Sequence, residues 1–147
     1  MLRNSRGRIV RVVFRSRCNG AAPADDTDGA YSLVEYDAAP HFEGPPPHIH
    51  TQTAEYIFVL EGNLSILFGS RKFTMGPGDG MLVPPGATQT FASEGDKRVR
   101  FLTLLSPGRF EGFLVEVADF AAMDQWPPNP EQLMDVLGRC EMVVPQG

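Results

Sequence analysis

The segment Gly44-Pro45-Pro46-Pro47-His48-Ile49-His50 places two imidazoles one residue apart, and Glu55 follows after four more residues. Side chains alternate across an extended chain, so His48 and His50 point to the same face. Glu55 opens the β-branched and aromatic run Tyr56–Leu60, from which it returns toward the same point on the next strand. Two neutral imidazoles and one carboxylate converging on one spot suit a divalent transition metal. Without a metal, the same groups offer acid–base chemistry, with Glu55 acting beside His48 or His50. A His-x-His pair alone is a weak signal; the stiff proline approach and the spaced glutamate are what raise it. His41, the third and last histidine, precedes the proline turn and is expected at the surface or the pocket rim.

Holding that trio requires strands, and the chain supplies short apolar runs almost throughout. Candidates are Ile9–Phe14, Ala30–Tyr36, Glu55–Leu60, Asn63–Phe68, Arg71–Thr74, Gly80–Val83, Thr88–Ala92 and Val99–Leu105. The 15 glycines and 13 prolines fall between them, which excludes a helical bundle and predicts many tight turns. Glu61-Gly62-Asn63 and Gly69-Ser70 read as hairpin turns, and Asn19–Gly29 reads as a loop. Two helices are expected at the end. Ser106 would cap the first, with Pro107 in its first position and Phe110, Phe113, Leu114 and Val117 as its apolar stripe. Asn129-Pro130-Glu131-Gln132 resembles a capping box for the second, and Gly138 would stop it. At 147 residues and 42% apolar, the chain is expected to form one domain over 1–147. Its barrel would run from about 8 to 105, and its helical segment from about 106 to 147.

Charge and cysteine usage exclude several classes. Six arginines (Arg3, Arg6, Arg8, Arg11, Arg15, Arg17) crowd the start, leaving seven basic against 18 acidic residues elsewhere. An acidic body argues against broad contact with nucleic-acid phosphates. The arginines alternate with Val10, Val12 and Phe14 as they would on an edge strand, where charge blocks edge-to-edge pairing. Cys18 and Cys140 make no metal-like spacing and are expected as reduced thiols in a cytoplasmic protein. No stretch is long and apolar enough to be a membrane span, and no signal-peptide h-region is evident.

The residues around the trio resemble the cupin family. Its first motif is a glycine, His-x-His, three or four residues, Glu, six residues and Gly; His48, His50, Glu55 and Gly62 match that spacing. Gly44 lies closer to His48 than the family's leading glycine. Its second motif is Gly, five residues, Pro-x-Gly, two residues, His, three residues and Asn; Gly78, Pro84 and Gly86 match in register. The resemblance runs from about Tyr31 to Leu105. The trailing Gly108-Arg109-Phe110-Glu111-Gly112-Phe113 is similar to segments of small single-domain cupins often called quercetin-dioxygenase-like. The implied fold is all-β, a cupin-type double-stranded β-helix (jelly-roll barrel) with two short C-terminal helices. The implied metal ligands are His48, His50, Glu55 and residue 89. Here the sequence departs from the family: Gln89 stands where the motif has histidine, and Ser93 where it has asparagine. A glutamine oxygen is a weaker donor than imidazole toward late transition metals. The site would then hold Fe, Mn, Ni or Zn less tightly, favour the harder Mn²⁺ or Fe²⁺, or hold none and use Gln89 as a hydrogen-bond donor.

Three function classes follow. The first is a metal-dependent enzyme acting on a small, largely hydrophobic molecule, aromatic or polyketide-like, as a dioxygenase, cyclase, isomerase or lyase. The second is a metal-free cyclase, isomerase or dehydratase using Glu55 and histidine. The third is a binding module without turnover. Fold alone does not choose among them. The expected pocket wall includes Gln89 and Phe91 on one strand face, and Ile57 and Val59 on the face of Glu55. Phe68, Phe73, Met75, Met81 and Phe101 are further inward candidates. Tyr56, Phe58 and Leu60 make the opposite face of the Glu55 strand apolar too, which suggests a homodimer.

Overall fold

The alternating runs form eleven strands: β1 Leu2–Arg3, β2 Ile9–Val13, β3 Ser32–Ala38, β4 His48–His50, β5 Ala54–Glu61, β6 Leu64–Phe68, β7 Arg71–Met75, β8 Gly80–Val83, β9 Thr88–Ala92, β10 Val99–Ser106 and β11 Met142–Val143. The structure is a computed structural model describing residues 2–3, 9–13, 27–108, 131–132, 135 and 141–145. Every pairing is antiparallel, in two sheets ordered β1-β2-β3-β10-β5-β8 and β11-β4-β9-β6-β7. The expected all-β jelly roll, a double-stranded β-helix, is the observed architecture.

The two sheets share one core. Val34, Tyr36, Ile57, Val59 and Phe101 come from the first, and Leu64, Ile66 and Phe91 from the second. Along β5 burial alternates, with Glu55, Ile57 and Val59 inside and Tyr56 exposed. A one-residue slip would carry Ile57 and Val59 to solvent and forfeit about 3–6 kcal/mol of burial. Those two aliphatic side chains therefore hold Glu55 inward. β10 repeats the pattern with Val99, Phe101, Thr103 and Leu105. Between Arg100 and Phe101 the register with β5 shifts, a bulge that bends the pair.

Several expectations need correction. The strand at Ile9 is not an edge strand, because β1 pairs along its outer side and β3 along its inner one. Ser106 does not cap a helix: it ends β10, and its hydroxyl donates to the carbonyl of Ala30 at 2.8 Å. Pro107 and Gly108 are not helical either. The remainder of that helix lies outside the described residues. Of the second, Glu131, Gln132 and Asp135 are helical and its other residues lie outside. Cys18 and Cys140 also lie outside. Phe73, expected inward, shares a register position with buried Ile66 but sits on edge strand β7 and stays 38% exposed.

β11 was not foreseen. It pairs Met142 with His50 and Val143 with Ile49, so β4 is held on both sides, by β9 and by β11. A three-residue strand could not hold its own position; two flanking ladders supply the backbone partners it needs.

Candidate functional site

His48, His50, Glu55 and Gln89 are all buried, between the sheets. β4 supplies the histidines, β9 supplies Gln89, and the opposing sheet supplies Glu55 from β5. Two glycines fit β4 to its neighbours. Gly44 has φ of 69°, and a Cβ on it would overlap the carbonyl oxygen of Phe91 in β9. Glycine is therefore required for the chain to cross β9 before the proline run. The Pro45 carbonyl then accepts from Thr90 Oγ1 at 2.6 Å. On the far side, the Gly86 amide donates to the His50 carbonyl at 2.8 Å, joining β4 to the Pro84–Ala87 turn.

The ligand atoms of His48, His50 and Glu55 lie within 4.8 Å of one another. His50 Nε2 is 3.3 Å from Glu55 Oε2, and the two imidazole rings meet edge to face at 5.0 Å. His48 Nδ1 is 2.9 Å from the Pro46 carbonyl oxygen. A carbonyl only accepts, so Nδ1 carries the proton and the Nε2 lone pair faces the other side chains. This is how metal-ligating histidines are oriented by a partner behind them. Burial is the largest effect holding the His48 imidazole below the ordinary histidine range, and His50 adds to it. The Pro46 carbonyl and Glu55 act in the opposite direction. The donor set thus fits a divalent transition metal: two imidazoles and a carboxylate, converging, buried, one tautomer already selected.

Gln89 completes the ring of contacts. Its Nε2 is 2.6 Å from Glu55 Oε2 and 2.9 Å from His48 Nε2. Among the described residues its buried Oε1 has no hydrogen-bond partner.

The wall beside these groups is aromatic. Tyr36 stacks on Phe101 with ring centroids 4.7 Å apart and planes 1° from parallel, and meets Phe91 edge-on at 5.4 Å. Phe42 lies against Phe91 at 6.2 Å. Burial, and after it the charge of Glu55, raise the Tyr36 phenol well above its ordinary range, so it is a neutral donor. Among the described residues no hydrogen bond reaches its hydroxyl. Sequence reasoning missed Tyr36. Its signal was alternation with Val34 and Ala38, which the expected strand end at Tyr36 cut off. Phe91, Ile57 and Val59 are buried on the faces expected for them. Met75 and Phe101 are buried too, while Phe68 and Met81 are partly buried against the core. His41 lies away from the trio, its Nε2 2.7 Å from Asp96 Oδ1 at the surface.

A family model described as "Cupin domain" matches residues 34–105. No curated protein matches the sequence. Among solved structures, KdgF from Halomonas sp. aligns at TM-score 0.55 and 16% identity, over 73% of this chain and 84% of that one. The polyketide cyclase RemF from Streptomyces resistomycificus aligns at TM-score 0.53 and 24% identity, over 68% and 65%. A sugar phosphate isomerase from Silicibacter pomeroyi aligns at TM-score 0.52 and 20% identity, over 66% and 71%. At these identities the likeness is one of fold.

Proposed function

From the premise that residues 34–105 form a small domain of the cupin superfamily, we propose an enzyme acting on a small, planar, largely hydrophobic molecule, aromatic or polyketide-like. A divalent transition metal would be held by His48, His50 and Glu55. The observation that carries this reading is the convergence of three buried donors within 4.8 Å, with the His48 tautomer set by Pro46. When bound, such an ion supplies Lewis-acid polarisation of a substrate oxygen. The chain's own groups do the rest. Phe91, Phe101 and Tyr36 offer ring faces and edges to a planar ligand. The Tyr36 hydroxyl donates to a substrate oxygen. In this reading Glu55 serves as a ligand, and the apolar wall limits water around the three donors. The likeness to a polyketide cyclase is one of fold, compatible with this reading, and does not choose the reaction.

A second reading, metal-free acid–base catalysis by Glu55 with His48 or His50, is favoured by the Gln89 amide bonded to both Glu55 and His48. Metal analysis of protein purified without chelator or nickel resin separates the two. The expected result is near-stoichiometric Fe, Mn, Ni or Zn in the wild type and none in the His48→Ala, His50→Ala double variant. Equal, trace metal in both would set the first reading aside in favour of the second.

A homodimer belongs to the same proposal. Leu33, Leu104, Tyr56 and Leu82 face one another in register across β3, β10, β5 and β8 on the outer face of their sheet. Leu82 is 61% exposed. Beside this row Arg100 bridges Glu35 and Glu61 within the chain, and the apolar row can meet its own copy across a two-fold axis. Among the described residues no helix is long and apolar enough to cross a membrane. A cytoplasmic enzyme without membrane or nucleic-acid partners is the setting we propose.

A further inference from the structure

We propose that Gln89 is not a fourth metal ligand but an internal stand-in for the metal: its side-chain NH₂ bridges Glu55 and His48, and an incoming metal must displace it. The inference rests on the metal-site reading above and concerns the side chain that sets this chain apart from the motif.

The argument starts from donors and acceptors. A Glu55 carboxylate only accepts. His48 Nδ1 is committed to the Pro46 carbonyl as a donor, so His48 Nε2 also only accepts. The Gln89 atom lying 2.6 Å from Glu55 Oε2 and 2.9 Å from His48 Nε2 must therefore be the NH₂ group, whose two hydrogens match two acceptors. The opposite amide orientation would set a carbonyl oxygen against a carboxylate oxygen and an imidazole lone pair. Each neutral imidazole nitrogen of this kind has one lone pair. It accepts a hydrogen bond or binds a metal, and does not do both at once. The amide and the metal thus compete for the same electrons on His48.

The arrangement explains how a buried carboxylate and a buried imidazole stay satisfied without a cation. Glu55 receives a charge-assisted hydrogen bond where it would otherwise be costly to bury. It also carries a consequence opposite to that of ligation. Removing a ligand weakens metal binding, whereas removing a competitor that stabilises only the metal-free state strengthens it.

Gln89→Leu decides the sign. Zinc and manganese affinities of the wild type and the variant are measured by calorimetry on metal-stripped protein. The side-chain amide of Gln89 is observed by ¹H–¹⁵N spectroscopy of the metal-free wild type. Gln89→Met, close to glutamine in size and unable to donate a hydrogen bond, serves as the second variant in case the leucine protein does not fold. The expected result is about tenfold tighter metal binding in Gln89→Leu, equivalent to about 1.4 kcal/mol. The wild-type amide pair should exchange slowly with solvent and vanish or shift when metal is added. Gln89→Met should likewise bind more tightly than the wild type, having lost the bridge without gaining an imidazole. Weaker binding by Gln89→Leu would overturn the inference and make Gln89 a ligand, leaving the metal reading intact. An amide pair with the shift and fast exchange of an exposed glutamine would overturn the bridge directly. Failure of wild type and both variants to bind either metal would overturn the displacement together with the metal reading, and the amide signal would then decide the bridge alone.

Discussion

Glu55 and Gln89, 34 residues apart and on opposing sheets, meet at 2.6 Å through a carboxylate oxygen and an amide nitrogen. The contact ties the two sheets together at the site. It also makes Glu55→Gln a clean probe, because a glutamine oxygen at position 55 still accepts from Gln89 while the charge is lost. We expect Glu55→Gln to fold, with stability changed by no more than about 2 kcal/mol. Turnover of any substrate found by screening should fall at least ~100-fold. Urea unfolding and a turnover assay on the same preparation check this. Near wild-type turnover in the folded variant would remove Glu55 both as ligand and as proton carrier.

Gly44 makes a separate prediction about how the site is held. Alanine there must adopt a left-handed conformation and also displace the Phe91 carbonyl, so Gly44→Ala should cost about 2–4 kcal/mol. Gly69 is the control. It too has a positive φ, 58°, but nothing lies within 4 Å of a Cβ there, so Gly69→Ala should cost only about 1–2 kcal/mol. Denaturant midpoints of the two variants give the comparison. Equal losses would mean that β4 yields easily against β9.

Tyr36→Phe keeps the ring on Phe101 and removes only the hydroxyl. Since no hydrogen bond within the described residues reaches that hydroxyl, its loss should leave the melting temperature unchanged or slightly raised. Affinity for planar oxygenated aromatics should drop about 5–10-fold, the worth of one hydrogen bond. Calorimetry against a panel of phenolic and quinone-like compounds, with and without the ring oxygen, tests it. A fall in melting temperature without a change in affinity would assign the hydroxyl a structural role.

The apolar row on the outer sheet face predicts a dimer at micromolar concentration, dissociated by Leu82→Glu together with Leu104→Glu. Both substitutions place carboxylates where a two-fold contact would bury them without partners. Sedimentation velocity reads the outcome. A wild-type monomer would remove the dimer, and a dimer unaffected by the double substitution would move its interface elsewhere.

Much of this architecture was legible in the residues themselves. Period-two alternation set which side chains of β5, β9 and β10 face inward, and so grouped Gln89 with Phe91, and Glu55 with Ile57 and Val59. The His48-x-His50 spacing and the proline turn put both imidazoles on one face. Glycines at 62, 78 and 86 stand in turns with positive φ. These are local properties, decided within a few residues by backbone geometry and apolar content. Only the tertiary structure decided what lies opposite each face. Alternation says that Gln89 points inward, but not that its amide nitrogen rests on His48, 41 residues away, and on Glu55. It says nothing of Pro46 selecting the His48 tautomer through a backbone carbonyl, since that follows from how the turn folds back. It does not show that Met142 will pair with His50 or that Tyr36 will stack on Phe101, because both depend on which strands become neighbours. Strand order in a jelly roll is set by long-range closure of two sheets over a shared core, and at the closure point a hydrogen bond, a lone pair or a ring face acquires its chemical role.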